Sequence, residues 1–227
     1  MAREAVPPRR SGSRPNTRPA RDEGEVREAI LAATRRLLDG RRFDELSVAD
    51  ILAEAGVARG SFYFYFASKH QVLAELIQRA VARGQDAAEP WLASPDDPRE
   101  TVRHGIREGA KLWRAEAPLL RAIVENWRSD PELSELWLQL MGGFTAATAE
   151  RIAVDRAVGS AAGSAADHAA DSGADATLAA ALTWLGERLY YLAAIGVEPF
   201  TDEEALVDVL THIWMSTLYP GKRKPPE

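Results

Sequence analysis

Residues 47–69 read SVADILAEAGVARGSFYFYFASK, and this stretch decides the fold. Ser47 can begin a helix as an N-cap, with Asp50 at the third helical position in the pattern of a capping box. Gly56 can end that helix, because glycine readily adopts the left-handed conformation that commonly follows a helix. Apolar residues recur between them at helical spacing, at Val48, Ile51 and Leu52. The pattern predicts a helix, a glycine turn and a second short helix over 59–66.

Two helices joined by such a turn are typical of a helix-turn-helix, whose second helix enters the major groove of DNA. That second helix contains five aromatic residues in a row, Phe62 to Phe66. They could form an aromatic core helix, but five consecutive side chains on about two turns cannot all face one core. We expect Phe62 and Phe66 to be buried and the residues around them to contact DNA.

The remaining side chains match the ways in which proteins contact DNA. Arg59 can bond a phosphate or the edge of guanine, and Gly60 lets the backbone approach the sugar-phosphate strand. Phe64 can touch a thymine methyl group. Lys69 begins the following helix, where a side-chain charge beside free backbone N–H groups would form a phosphate site. Hydroxyl contacts to phosphate oxygens are expected from Ser47, Ser61, Tyr63 and Tyr65.

Composition excludes several classes of protein. The 227 residues contain no Cys, which excludes a disulfide scaffold, Cys-ligated zinc and a cysteine nucleophile. No apolar stretch approaches the roughly 20 residues that span a bilayer, so an intracellular, cytoplasmic protein is expected. The net charge is −6, yet residues 1–80 carry 14 basic and 11 acidic side chains. A basic first third on an acidic remainder is typical of a DNA-binding head, although a solvated tail would also produce it.

Helical periodicity continues through the chain, and no segment has the alternation of a strand, so the predicted fold is all-α. A second capping box, Ser68 with Gln71, begins the helix after the helix-turn-helix, and Thr201 is the expected cap of the last helix. The Ala/Gly/Ser/Asp tract over 158–173 is expected to be a loose loop. The further helices are predicted over about 23–38, 68–84, 98–116, 118–128, 131–156, 175–195 and 202–219.

Residues 40–73 resemble the signature of the TetR family of bacterial transcriptional regulators. Looser motifs across most of 24–219 are similar to the ethionamide-resistance repressor branch of actinobacteria; they are Phe62–Phe66, Glu135–Trp137, Gly186–Arg188 and His212–Trp214. The resemblance implies a homodimer of nine-helix subunits. Three N-terminal helices would bind a palindromic operator, and a larger C-terminal domain would hold a pocket for a hydrophobic small molecule whose binding releases the DNA.

On this basis the chain divides into four parts. Residues 1–22 form an Arg/Pro-rich arm, disordered by composition, which we expect to add phosphate or minor-groove contacts. A helix-turn-helix domain over 23–70 and a ligand-binding and dimerisation domain over 71–219 follow, and 220–227 form a basic C-terminal tail. Dimerisation is expected through the last two helices, 175–195 and 202–219. Their apolar stripe comprises Leu206, Val209, Leu210, Ile213 and Leu218.

The expected pocket is aromatic. Trp137, Met141, Phe144 and Thr148 recur at four-, three- and four-residue spacing and therefore share one helix face. The resemblance places Trp113, Trp137, Met141, Phe144, Thr148, Tyr191 and Trp214 on the lining. Thr183, which is also expected on the lining, and Gly186 stand where that branch has two asparagines. The loss of both amides predicts a different ligand and a roomier, more apolar site. Ala58 stands where the family has Ser or Thr, and this costs the second helix an N-cap worth about 1 kcal/mol.

Three other functions compete with this interpretation. An enzyme is disfavoured because the motifs of zinc proteases, serine hydrolases and phosphate-binding loops are absent from the sequence; no metal or cofactor is expected. A DNA-binding regulator could instead be constitutive or controlled by a protein partner, its aromatic residues being filled core. A carrier of apolar ligands with a vestigial head is the third alternative.

Overall fold

The computed structural model describes residues 23–92, 97–159 and 165–219. All regular structure in these ranges is helical, which confirms the all-α prediction. The predicted arm (1–22) and tail (220–227) lie outside the described residues. The helices are α1 (Glu23–Leu38), α2 (Val48–Ala55), α3 (Arg59–Tyr65), α4 (Lys69–Leu92), α5 (Pro98–Ala115), α6 (Ala117–Asn126), α7 (Pro131–Gly159), α8 (Ala165–Ala194) and α9 (Glu203–Leu218), with a 3₁₀ turn at Trp127–Ser129.

The turn between α2 and α3 forms as its local sequence predicts. The Asp50 N–H donates to the Ser47 hydroxyl at 3.1 Å, and the Ser47 N–H donates to the Asp50 carboxylate at 2.8 Å. Gly56 ends α2 with a φ of 64°, and its N–H donates to the Leu52 carbonyl at 3.0 Å. Both ends of α2 are therefore fixed by hydrogen bonds within the quoted stretch.

Two predictions about the C-terminal half are wrong. The cap of α9 is Asp202, not Thr201: the Asp202 carboxylate accepts the Ala205 N–H at 3.1 Å, and aspartate is as good an N-cap as threonine. The tract over 158–173 is mostly helical, because α7 runs to Gly159 and α8 begins at Ala165. Alanine has the highest helix propensity, so the alanine content of this tract outweighs its scattered glycines.

One hydrophobic core joins the head, which we define as α1–α3, to the body, α5–α9. It runs from Ile30 and Phe62 in the head, through Ile77 of α4, to Leu119 and Trp137 in the body. Helix α4 therefore packs in both regions and connects them. Among the described residues, no helix is long and apolar enough to cross a membrane.

A second core cluster packs α9 against α5, and it corrects the predicted dimer stripe. Leu206 and Leu210 are buried against α5 of the same subunit, so they do not form an exposed face. Val209 is 53% exposed, Ile213 is half-buried, and Leu218 lies on a cavity in the body. Only part of the stripe is therefore left for another subunit.

Candidate functional site

The aromatic residues of α3 divide between core and surface. Phe62 and Phe66 are buried in the head, with ring centroids 6.0 Å apart. Tyr63 and Phe64 are 49% and 73% exposed, and Tyr65 is half-buried with its ring edge-on to Phe64. Adjacent large aromatic side chains in solvent are unfavourable unless a partner covers them, so this surface has the character of a binding site.

Polar and small residues flank this aromatic surface. The Arg59 guanidinium lies 5.7 Å from the Tyr63 ring centroid, so the two side chains stack on the exposed side of α3. Gly60 is exposed, and no described residue comes within 4 Å of the position of a Cβ there. Ser61 is half-buried, and Ala58 begins α3 with no side-chain hydrogen bond to the helix. The first turn of α3 is thus open to a closely approaching partner.

The Ser47 hydroxyl is exposed but already engaged. It donates to the Asp50 carboxylate at 2.5 Å while it accepts the Asp50 N–H. Hydrogen bonds from the Ser47 hydroxyl and N–H, with a further one from Arg41, lower the pKa of Asp50 to about 2. A permanent negative charge therefore lies beside Ser47, which makes it a weaker phosphate ligand than the sequence suggested.

The Lys69 side chain forms hydrogen bonds within the protein, in place of the predicted phosphate contact. Its ammonium group donates to the backbone carbonyls of Phe43 and Leu46 at 2.9 and 2.7 Å, and burial lowers its pKa. The backbone N–H groups that follow it are also engaged, because those of His70 and Gln71 donate to the Ser68 hydroxyl. Lys69 thus fixes the loop between α1 and α2 to the start of α4.

The body contains a cavity of about 860 Å³ between α4, α5, α6, α7, α8 and α9. This volume is typical of sites for small organic molecules. Most of the wall is apolar or aromatic, and Ala80 and Val81 of α4 contribute to it. Seven of the residues expected on the lining do lie there: Trp113, Trp137, Met141, Phe144, Thr148, Thr183 and Trp214.

Tyr191 does not line the cavity; its neighbour Tyr190 does. The Tyr191 hydroxyl lies near the surface and donates to the Glu125 carboxylate at 3.2 Å. The Tyr190 hydroxyl donates to the Ile106 carbonyl at 2.8 Å, and burial raises its pKa. A signal for Tyr190 was present, because it follows Thr183 by seven residues, two full helical turns, on the same face of α8.

Carboxylates in the cavity wall were missed because the sequence suggested solvated helix faces. Glu108 pairs with Lys111 at 2.6 Å, whereas Glu187 is buried, which raises its pKa. The Glu187 Oε2 and the Trp137 Nε1 are both buried and have no hydrogen-bond partner within the described part of the chain. Over the same residues, no group of three His, Cys, Asp or Glu side chains could hold a metal ion.

One polar contact connects the body to the head, and another connects the body to α4. Arg35 of α1 donates to Glu116, which lies between α5 and α6 on the cavity wall, at 2.5 Å. The His70 Nδ1, at the start of α4, lies 3.5 Å from the carboxylate of Asp130, and burial lowers the pKa of His70. The Arg35–Glu116 contact places one cavity residue directly against α1 of the head.

Known proteins are similar to both regions. Residues 30–76 match the family described as "Bacterial regulatory proteins, tetR family", and residues 102–220 match "Transcriptional regulator EthR, C-terminal domain". The chain is 36% identical over 204 residues to the HTH-type transcriptional regulator EthR of Mycolicibacterium smegmatis, covering 89% of this chain and 90% of that protein. It is 33% identical over 209 residues to EthR of Mycobacterium tuberculosis, covering 91% and 93%.

Solved structures share the fold at low sequence identity. A putative TetR-family transcriptional regulator from Syntrophomonas wolfei matches with a TM-score of 0.67 at 15% identity, covering 90% of this chain and 100% of that one. Thermus thermophilus FadR, a TetR-family repressor in complex with lauroyl-CoA, matches with a TM-score of 0.62 at 21% identity, covering 88% and 98%. A putative transcriptional regulator from Saccharomonospora viridis in complex with choline also has a TM-score of 0.62, at 18% identity, covering 85% and 96%.

Proposed function

The chain belongs to the TetR family of bacterial transcriptional regulators and has the EthR type of C-terminal domain, and we propose that it is a repressor released from DNA by a hydrophobic small molecule. The family consists of regulators, so the chain is a transcriptional regulator and not an enzyme. One observation carries the finer proposal: the helix with the exposed aromatic surface, α3, and the wall of a large apolar cavity both contribute residues to one continuous core. It would act in the cytoplasm, where the bacterial DNA lies.

The proposed DNA contacts come from α3. Arg59 binds a phosphate or guanine, and its stacking on Tyr63 orients the guanidinium before the DNA arrives. Gly60 admits the sugar-phosphate strand, and the Ser61, Tyr63 and Tyr65 hydroxyls fix the register on phosphates. Phe64, the most exposed aromatic side chain of α3, contacts a thymine methyl group. Ser47 and Lys69 are left out of this set because their polar groups are engaged within the head.

Release follows from the position of the cavity against α4 and Glu116. A ligand that fills the space beside Ala80 and Val81 displaces the body end of α4. The head moves with α4 because both belong to the same core, and the contact between Arg35 and Glu116 changes with it. Ligand and DNA then compete because each binds a different arrangement of α4 better. The regulators solved with lauroyl-CoA and choline are consistent with small-molecule control in this fold.

The operator-binding unit is proposed to be a dimer formed through the segments 175–195 and 202–219. A palindromic operator needs two recognition helices about 34–36 Å apart, or a multiple of that distance. Exposed Val209 and Ile195 offer apolar surface on α9 and just beyond α8, which a second copy would cover. Leu206 and Leu210 support that surface from inside the subunit.

Fluorescence anisotropy tests the proposal, with DNA from the intergenic region upstream of the protein's own gene. Saturable binding that weakens with salt and is relieved by an apolar molecule is expected. Arg59→Ala should weaken binding by about tenfold or more, the usual cost of losing a base or phosphate contact. Arg128→Ala is the matched control, because Arg128 is also exposed and also stacks on an aromatic ring, that of Trp127 at 4.8 Å, but lies in the body.

Each outcome distinguishes a different function. Equal loss in the two arginine variants would contradict the assignment of α3 as the DNA-binding surface. Specific binding that no apolar molecule relieves would instead favour a constitutive regulator, or one controlled by a protein partner, with the cavity residues acting as core. Binding of apolar molecules without any DNA preference would favour a carrier.

A further inference from the structure

Resting on this proposed function, we propose that the effector is an apolar molecule with a protonated amine, for which Glu187 is the counter-ion in the cavity. The same molecule presents a hydrogen-bond acceptor to the Trp137 indole N–H. The inference depends on two buried polar atoms in the cavity wall that the protein itself leaves without hydrogen bonds in the described ranges.

Glu187 is the stronger of the two observations. The residue is 6% exposed and lines the cavity, and its Oε2 has no hydrogen-bond partner among the described residues. Its neighbour Arg188 approaches only to 3.9 Å and lies over the ring of Tyr191, away from the cavity lining. A buried carboxylate without a hydrogen bond is costly, and a group supplied by the ligand would remove that cost.

Other carboxylates in the cavity wall have cationic partners from the protein. Glu108 pairs with Lys111 at 2.6 Å, and Glu116 pairs with Arg35 at 2.5 Å. A cationic ligand group therefore gains most at Glu187. An anionic head group at the same place would be repelled by Glu187. Two cationic residues, Lys111 and Arg151, also line the cavity, but neither is without a partner in the protein, and that of Lys111 is Glu108.

Aromatic side chains around the cavity suit the same chemistry. Trp113, Tyr190 and Trp214 all line it, with the Trp113 and Tyr190 ring centroids 6.4 Å apart. Aromatic faces attract cations in desolvated sites and cover an alkyl or aryl body equally well. The unpartnered Trp137 N–H is a donor, so it selects a carbonyl, ether or hydroxyl oxygen on the ligand.

Chain-matched probes test the inference on the full-length protein. Decylamine, 1-decanol and decanoate share an apolar chain and differ in head-group charge at pH 7. Titrations followed by tryptophan fluorescence and calorimetry should show decylamine binding at least tenfold more tightly than decanol, and decanoate more weakly than both. In Glu187→Gln the preference for the amine over the alcohol should disappear.

Two variants complete the design. Thr177→Val is the matched control, because it removes a hydroxyl from the same helix at an exposed position off the cavity lining and should keep the preference for the amine. Trp137→Phe should weaken a probe with both an amine and an ether oxygen severalfold more than it weakens decylamine. The comparison of probes on the unsubstituted protein stands even if Glu187→Gln folds poorly.

Equal affinity for decylamine and decanol would overturn the inference. If either probe then released the DNA, the ligand-responsive repressor would still stand. If the protein bound its operator but none of the probes bound, this inference and the proposed release by ligand would both be wrong, and DNA binding alone would remain.

Discussion

The head and the body of this regulator use aromatic residues in opposite ways. On α3, Tyr63 and Phe64 point into solvent from a helix of seven residues whose other side is buried through Phe62. In the body, Trp113 and Trp137 are buried and border an internal space. The head thus exposes apolar surface to a partner outside the fold, whereas the body encloses apolar surface around a partner inside it.

Polar groups reinforce this difference. The starts of α2 and α4 are held by side-chain caps whose donors and acceptors meet one another, at Ser47 and Ser68 respectively. The cavity wall, by contrast, contains Glu187 and Trp137 atoms without hydrogen bonds from the described residues. Buried polar groups are rarely left unsatisfied, and exceptions concentrate at functional sites. Hydrogen bonding is therefore satisfied at these two caps and incomplete in the cavity wall.

The largest expected effect comes from comparing substitutions at two nearby phenylalanines of α3. Phe62→Ala should lower the free energy of unfolding by about 3–5 kcal/mol, because Phe62 is fully buried in the core. Phe64→Ala should change it by less than about 0.5 kcal/mol and weaken operator binding. Chemical denaturation and anisotropy measure the two quantities. Unchanged DNA affinity in Phe64→Ala would show that the exposed aromatic surface serves some other partner.

Filling the cavity should separate ligand response from DNA binding. Gly186 is buried on the cavity wall, and a Cβ there would lie an ordinary 3.6 Å from the Tyr190 ring. Gly186→Leu should keep operator affinity while abolishing release by the decyl probes. Gly173→Leu, at an exposed position of the same helix, controls for the gain in helix propensity, about 1 kcal/mol in both. An unchanged response in Gly186→Leu would place the effector elsewhere.

The pair between Arg35 and Glu116 should govern the link between the two regions. Glu116→Gln should leave operator affinity without probe within about threefold, but reduce the probe-induced loss of affinity by about fivefold, near 1 kcal/mol of coupling. Glu54→Gln is the control, because Arg36 and Glu54 form a similar 2.7 Å pair within the head. Equal responses in both variants would mean that α4 alone transmits the signal.

The success of sequence-based prediction follows the same division. The turn at Gly56 was predictable because all of its hydrogen bonds join residues within one short stretch. The hydrogen bonds of the Lys69 side chain were not predictable, because its partners Phe43 and Leu46 belong to a loop that is distant in the sequence. The burial of Leu206 and Leu210 likewise depends on α5, which no periodicity within α9 reveals.

The cavity was predictable in location but not in detail. A tryptophan- and methionine-rich face indicated it, yet one residue along a helix turns a side chain by about 100°, and this separates Tyr190 from Tyr191. Glu116 and Glu187 were interpreted as solvated because a carboxylate on a helix is usually exposed. Only the packing of neighbouring helices buries them.

The smallest expected effect concerns the start of α3, a helix end in the head that lacks a side-chain cap. Ala58 already has the extended backbone of an N-cap, with φ −74° and ψ 151°, but no side-chain oxygen for the first turn. Ala58→Ser should therefore raise the free energy of unfolding by about 1 kcal/mol and slightly strengthen DNA binding, through a further hydroxyl near the phosphates. Ala53→Ser, at an exposed position within α2, should instead destabilise slightly. If denaturation shows no gain for Ala58→Ser, the burial of Phe62 alone fixes α3, and its first turn is left free to adapt to DNA.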